Sequence, residues 1–515
     1  MDASDWDLSP QETTAYFRAL AKECAETELV DEHTWADLEM ERVFVRVNKC
    51  MAPPGAQYLY ALLRRFQSSP EALRQNVATH HVFAGKPGPG AAVRQALRRL
   101  GYKESAEIPD VLCGPPPTVP AGHRLFYLVS AAAVLCPFGL LISPWFLLPS
   151  LALWILNIAL HFAFYRTVVR HAPALTGLAA LLGCVPGLVQ ALQGSGLPEE
   201  QELSSLREVA RRVQKQISRT FLSRESNNDL TRLIVEYLNL FCLFELCSLC
   251  RAICAVNHER VGLMSLYRLV GRLDALQGLS TALTEFPVIC AAESGPGRRF
   301  TLVDAYHPLL DNPVANSLDG AGNSLLFTGT NMAGKTTFIK ALGINLLLAQ
   351  TLGLCFARRA VFPPARLKTL IHREDTTLAG QSYFFYEATE LLRMVEQTKR
   401  NGHEVWFVLD EVFRGTNTLE RVAAAAAVLG HMTLHGVVIA STHDHELTTL
   451  LSSHFDSYHF SEVVEGQQAR FDYRLRSGPC TSRNAIRLLT IAGFPQSVID
   501  SATRVAQSIA RGSVR

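Results

Sequence analysis

Gly329-Thr330-Asn331-Met332-Ala333-Gly334-Lys335-Thr336 has the spacing of a phosphate-binding loop, and it follows the apolar run Leu325-Leu326-Phe327 as a loop leaves a buried strand. Gly329 and Gly334 allow the backbone to turn its N–H groups inward on phosphate oxygens. The helix expected from Thr336 to about Leu348 adds the positive end of its dipole. In such a loop Lys335 reaches the β- and γ-phosphates and Thr336 offers its hydroxyl to Mg²⁺. Thr337 completes the loop, with capping or packing as its structural use. A glycine turn can match this spacing by chance, so a second element is required.

Val405-Trp406-Phe407-Val408-Leu409-Asp410-Glu411 supplies it, as a strand-like apolar run ending in two adjacent carboxylates. Asp410 is expected on the metal side. Glu411 is expected to polarise the attacking water as a general base. The pair of elements implies ATP hydrolysis with ATP and Mg²⁺ bound.

With these residues assembled, the loop GTNMAGKTT from Gly329, SYFFYEATEL from Ser382, LDEVFRGTNT from Leu409 and STHDHEL from Ser441 resemble, in that order, the ATPase domain of the MutS DNA mismatch-repair proteins. The likeness continues through Tyr306-His307-Pro308 and Val314-Ala315-Asn316, and into Ala492-Gly493-Phe494-Pro495. MAPPGAQYLYALLRR from Met51 is similar to the segment opening that family's helical core. The resemblance implies a dimer joined through its ATPase domains, with Ser382 completing the partner's nucleotide site in trans, and His443 facing the γ-phosphate. It puts the nucleotide against Gly329 to Thr337, including Thr330, Asn331, Met332 and Ala333. Adenine-side contacts are implied at Val314 (or Pro313), where apolar contact replaces a family aromatic, at Asn316, and at Tyr473, which aligns near the family's second adenine-side ring and offers a π face. Asn417 stands where the family usually has Ser. The family's amino-terminal mismatch-reading domain has no expected counterpart here. Its implied activity is ATP-driven clamping on DNA.

The chain has 515 residues, which predicts two to four domains. Forty-nine basic and 47 acidic residues give a formal charge of +2, so bulk charge does not mark a nucleic-acid binder and DNA contact must be local. Twelve cysteines show no paired framework, and the acidic start Met1 to Asp7 is no cleavable signal. Free thiols in a reducing interior are expected. Cys247, Cys250 and Cys254 recur at helical spacing among Leu, Phe and Ile, the pattern of a buried apolar helix more than of a metal site.

From Leu125 to Tyr165 there is no Asp, Glu, Lys or Arg, a run about twice the ~20 residues that one bilayer span needs. Pro144 marks the turn between expected helices near 125–142 and 145–165. Arg124 before the run and Arg166 and Arg170 after it orient both ends toward the cytoplasm. A multi-pass membrane protein with its ATPase in the cytoplasm is expected, against the alternative of a soluble cytoplasmic chain that buries the hairpin. Asn157 and His161, four apart, are expected to hydrogen-bond to the first helix. Arg207, Arg211, Arg212 and Lys215 mark a polar helix face.

The expected fold is an α/β P-loop ATPase domain joined to an all-α core and lever domain with an apolar two-helix hairpin. Its parts are a helical core at 1–122, the hairpin at 123–170, a second helical part at 171–295, and the ATPase domain at 296–515. Two functions follow. One is a membrane-tethered, MutS-like dimeric ATPase that clamps DNA; the other is an ATPase of the same architecture acting on a protein or membrane partner without DNA.

Overall fold

Leu59, Leu62, Leu63 and Phe66 recur at helical spacing, and all four side chains are buried. The first three lie on α1 (Pro53–Leu63), which starts at the Pro53-Pro54-Gly55 turn because proline at the first helical position forfeits no hydrogen bond. The computed structural model describes residues 8–67, 69–85, 88–100, 103–218, 237, 239–329, 333–371, 383–399, 404–413, 417–465, 468–480 and 493–510. They form two compact units, each assembled from discontinuous stretches.

The first unit comprises Met1–Glu26, Val47–Leu62 and Ala78–Glu285. Its long helices are α2 (His123–Leu135), α3 (Leu147–Val169), α4 (Ala172–Leu192), α5 (Pro198–Ser218), α6 (Phe244–His258) and α7 (Arg260–Leu283). On α5, Leu203, Ala210, Val213 and Ile217 face inward, while Arg207, Arg211 and Lys215 stand exposed four residues apart. Arg212 pairs with Glu259 at 3.1 Å, and Arg211 with Glu208 at 3.8 Å along the helix surface.

On α7, the buried Asp274 accepts the backbone N–H groups of Met51 (2.8 Å) and Ala52 (2.9 Å), so it caps the first turn of α1 across more than two hundred residues. Burial pushes its carboxyl up to about 7 from an ordinary 3.8. A pKa raised in the folded state adds stability that is complete below the unfolded value and lost as pH rises through about 7. Replacing Asp274 by Asn should therefore flatten the pH dependence of thermal unfolding across that window. Asp274→Ala should cost about 2–4 kcal/mol, because it strands two buried N–H donors.

The apolar stretch holds two helices in succession, α2 and α3. Helix α2 passes through short 3₁₀ turns at Cys136–Leu141 and Pro144–Phe146 into α3. The side chains of Leu141, Ile142, Trp145 and Phe162 are 87%, 85%, 77% and 73% exposed. His123–Leu141, Pro144–Val169 and Ala172–Leu192 are each long and apolar enough to cross a bilayer. The third is α4, which differs from the other two in burying Leu175, Leu181, Val185 and Leu188 within the unit. Asn157 does not bond to the first helix as expected; its amide donates to the carbonyl of Phe241 at 2.6 Å. His161 stacks on Tyr165 with ring centroids 4.5 Å apart. The hairpin leans on residues 239–258, a wall that local periodicity in the hairpin does not reveal. Cys247 and Cys250 are buried in α6, and all twelve cysteines are free thiols.

The second unit comprises Thr27–Arg46, Leu63–Val77 and Phe286–Arg515. Two stretches of the expected amino-terminal helical core thus fold with the carboxy-terminal part. The reason is visible in their polar contacts: Asp37 accepts from Thr369 Oγ1 (2.8 Å) and Ile371 N–H (2.9 Å), and Asp31 pairs with Lys368 at 2.7 Å. These contacts cover a strand that ends the sheet.

The first sheet holds β1 (Cys290–Ser294), β2 (Phe300–Ala305), β3 (Asn316–Gly320), β5 (Leu354–Cys355) and β6 (Arg359–Phe362) in the order β3-β2-β6-β1-β5. The second holds β4 (Ser324–Thr328), β7 (Arg366–Leu370), β8 (Val405–Asp410), β9 (Gly436–Ser441), β10 (Phe455–His459) and β13 (Arg476–Ser477), ordered β13-β10-β4-β9-β8-β7. A small hairpin, β11 (Glu462–Glu465) with β12 (Gln468–Phe471), stands apart. Pairing is parallel from β10 through β7. Strands β4, β8 and β9 are buried on both faces, which is why their sequences are continuous apolar runs. Helices α8 (Lys335–Thr351), α9 (Tyr383–Lys399) and α10 (Thr418–Met432) accompany this sheet.

Candidate nucleotide site

In an open parallel sheet the carboxyl ends of the strands form the ligand crevice, and among the described residues Lys335, Thr336, Asp410, Glu411 and His443 lie there. Register pairs Phe327 of β4 with Ser441 of β9, and Ser441 with Asp410 of β8, so the strand before the glycine loop and the acidic strand end at one level. Lys335 and Asp410 are both buried.

Gly329 has φ +136° and Gly334 φ +100°. A Cβ on Gly329 would stand 2.3 Å from the Phe460 carbonyl oxygen, so no other residue fits there. Gly334 caps α8, and the Lys335 ammonium donates to the Gly329 carbonyl at 2.6 Å, closing the loop on itself. Ala333 is buried beside them. Thr330, Asn331 and Met332 lie outside the described residues, as do Ser382 and Arg414-Gly415-Thr416.

Thr336 Oγ1 donates to Asp410 Oδ2 at 2.8 Å, and Ser441 Oγ donates to Asp410 Oδ1. A hydroxyl beside a carboxylate is a hard-oxygen pair suited to Mg²⁺. Glu411 sits one residue on with φ +50°, its N–H donating to the Ser441 carbonyl at 3.1 Å. Its carboxylate lies 2.6 Å from His443 Nε2, which is also 3.5 Å from the Lys335 ammonium. A proton on Nε2 serves the carboxylate, so the approach to Lys335 is then proximity and not a hydrogen bond. Phe413 has φ +66°, and its N–H donates to the buried Glu387 of α9 at 2.6 Å. Two non-glycine residues in the left-handed region within three positions are a strained turn, held by bonds from both sides. Asn417 caps α10 by accepting from Glu420 N–H at 2.9 Å, and Arg421 grips Asp444 with two bonds of 2.9 and 2.6 Å.

Val314, Asn316 and Tyr473 come together at a cavity of about 290 Å³ that Gly334, Thr337 and Pro313 also line. The Asn316 amide donates to the Tyr473 carbonyl (2.9 Å) and its oxygen accepts from Leu475 N–H (2.8 Å). That clamp holds Tyr473 at φ +54° beside Gly334, where any Cβ would come within 3.1 Å of the ring. His307 lines the same cavity; burial pushes its imidazole down to about 4, so it is neutral at pH 7 and its Nδ1 accepts from Leu309 N–H. Ser441, His307 and Glu387 all stand within the motifs of the resemblance, which give none of them a role. Ser441 was findable as the residue ending the strand beside Asp410, whereas Glu387 bonds to a turn 26 residues away.

Comparison with known proteins comes to the same part of the chain. The family model for MutS domain V matches residues 325–510. The DNA mismatch repair protein MutS of Leuconostoc citreum is 31% identical over 227 residues, covering 41% of this chain and 26% of that protein. Its counterpart in Geobacillus thermodenitrificans is 30% identical over 271 residues, 49% of this chain and 29% of the relative. The DNA mismatch repair protein MutS 2 of Haloarcula marismortui is 31% identical over 216 residues, with 38% and 22% covered. The matches thus span less than a third of these relatives' own length. Residues 325–510 thus match MutS domain V, and up to about half of the chain is similar to MutS proteins.

Proposed function

We propose that the chain is a MutS-like dimeric ATPase, anchored in a membrane by its apolar hairpin, that couples ATP binding and hydrolysis to clamping on DNA. The observation that carries the ATPase reading is the junction of Thr336, Asp410, Ser441, Glu411, His443 and Lys335 at the end of a buried parallel sheet. In this reading the loop from Gly329 to Thr337 cradles the phosphates, and Lys335 leaves the Gly329 carbonyl to meet the β- and γ-phosphates. Val314, Asn316 and Tyr473 receive the adenine side. Thr336 and Asp410 hold Mg²⁺, which when bound neutralises charge on the phosphate oxygens. Glu411 takes the proton of the attacking water, and His443 orients that carboxylate through their 2.6 Å contact.

Ser382 is assigned to the partner's site, and mixed dimers test it. A Lys335→Ala chain mixed with a Ser382→Ala chain forms heterodimers with one intact composite site, so turnover should recover to a substantial part of wild type. Demonstrated mixed dimers without recovery would remove Ser382 from the trans role.

The exposed row Arg207, Arg211 and Lys215 on α5 supports a local DNA contact, which the near-neutral whole chain otherwise lacks. The exposed apolar hairpin also favours a second reading, in which the same ATPase acts on a membrane or protein partner and never meets DNA. For the anchor, the 23 residues of α3 reach roughly 34 Å, enough for a hydrocarbon core of ~30 Å. Arg124, Arg166 and Arg170 keep both ends, and with them the ATPase, on the cytoplasmic side.

A further inference from the structure

Helix α2 carries Tyr127, Ser130, Ala131 and Val134 along one stripe, and α6 carries Phe244, Cys247, Ser248 and Arg251 along another. The two stripes face each other across an open groove of about 620 Å³. Their register is given by two contacts. Tyr127 OH donates to the Cys247 carbonyl at 3.3 Å, and the Arg251 guanidinium lies 5.5 Å from the Tyr127 ring centre. Further along, Ser130 Oγ donates to the Cys242 carbonyl. The helices therefore run in opposite directions. The groove is apolar where α2 enters the hairpin, with Val134 and Leu135 opposite Phe244, and cationic one turn from Arg124. Arg251 is exposed and has no carboxylate within ion-pair distance among the described residues.

We infer that this groove is a binding site for one anionic phospholipid, its phosphate on Arg251 and one acyl chain between α2 and α6. The inference rests on the membrane reading of the hairpin and deepens it. The groove has the amphiphile's own polarity: a guanidinium at the cytoplasmic headgroup level, with Ser248 beside it, and an apolar slot leading toward the membrane interior. Anionic lipids concentrate in that leaflet, and their phosphate carries a net charge for the guanidinium to meet, whereas a phosphatidylcholine balances the same phosphate with its own ammonium. Cation–π contact with Tyr127 holds the guanidinium over the groove mouth.

The test uses the full chain reconstituted in phosphatidylcholine vesicles with a minority of phosphatidylglycerol, the latter bearing a photoreactive group on its acyl chain. Peptide mapping should find label on the segment containing Ser130 to Leu135 as well as on the tip at Leu141 to Trp145, which reports general bilayer contact. Arg251→Gln should lower the groove label about fivefold, the worth of one interfacial cation, and leave the tip label unchanged. Ala131→Trp, which fills the slot while keeping the charge, should lower it as well. Equal groove labelling in wild type and Arg251→Gln, or equal labelling by a phosphatidylcholine probe, overturns the lipid site and leaves the anchor standing. Absence of label at the tip overturns the anchor and takes the lipid site with it.

Discussion

Joining Gly122 to His171 moves the chain from the membrane fraction to the soluble fraction, while the shortened chain still binds ATP. Intact, the chain presents Leu141, Ile142, Trp145 and Phe162 almost bare among the described residues. Partition between water and hydrocarbon gives about 25 cal/mol for each Å² of apolar surface removed from water, so a hairpin of this size leaves no appreciable soluble population. Removing it deletes the contacts of Asn157 and Tyr165 with residues 241 and 245 as well. The first unit therefore loses support, and the readout is placed in the second. Retention of ATP binding with loss of sedimentation is the expected pair of results. An intact chain that stays soluble without detergent, when expressed in a bacterium, would identify the hairpin as a surface buried by another protein copy and not by lipid.

Lys335→Ala and Glu411→Gln separate binding from chemistry. Lys335 is buried with its ammonium on the loop carbonyl, so its loss removes the charge-assisted bonds to the β- and γ-phosphates and weakens ATP binding by about a hundredfold. Glu411→Gln keeps the shape and keeps the nucleotide. It removes the proton acceptor, and turnover should fall about 10²–10⁴-fold, the usual worth of a general base. Equilibrium binding of a fluorescent ATP analogue, alongside phosphate release, distinguishes the two. Equal loss of affinity in both variants would take Glu411 out of the general-base role.

The glycine loop at Gly329 and the acidic strand at Asp410 stood out in the sequence because the phosphate chemistry proposed for them dictates spacing. A loop that must turn N–H groups onto phosphate needs Gly329 and Gly334 where they stand, and a strand buried on both faces must be apolar up to Asp410. Hairpin helices were legible for the same kind of reason, since lipid-length apolar runs have few other uses. What stayed hidden depends on partners distant in sequence. Asn157 reaches a carbonyl 84 residues away, and Asp37 caps a strand more than three hundred residues on. The second kind moved two amino-terminal stretches into the carboxy-terminal unit. Backbone strain was hidden too, because Glu411 and Phe413 adopt left-handed conformations that their side chains do not announce. Only the surrounding bonds, from Ser441 and Glu387, over-determine that turn.

The proposed membrane anchor, nucleotide site and DNA contact meet in one measurement: flotation of liposomes carrying the full chain with labelled duplex DNA, over a range of salt, with and without ATP. If the chain clamps DNA, the DNA floats with the liposomes at low salt, its retention changes with ATP, and affinity falls steeply as salt rises because phosphate contacts release counterions. Lys335→Ala abolishes the response to ATP without detaching the chain from the vesicles. DNA left at the bottom of the gradient at every salt concentration, with the chain on the liposomes and hydrolysing ATP, would contradict DNA clamping and leave a membrane ATPase with a different partner.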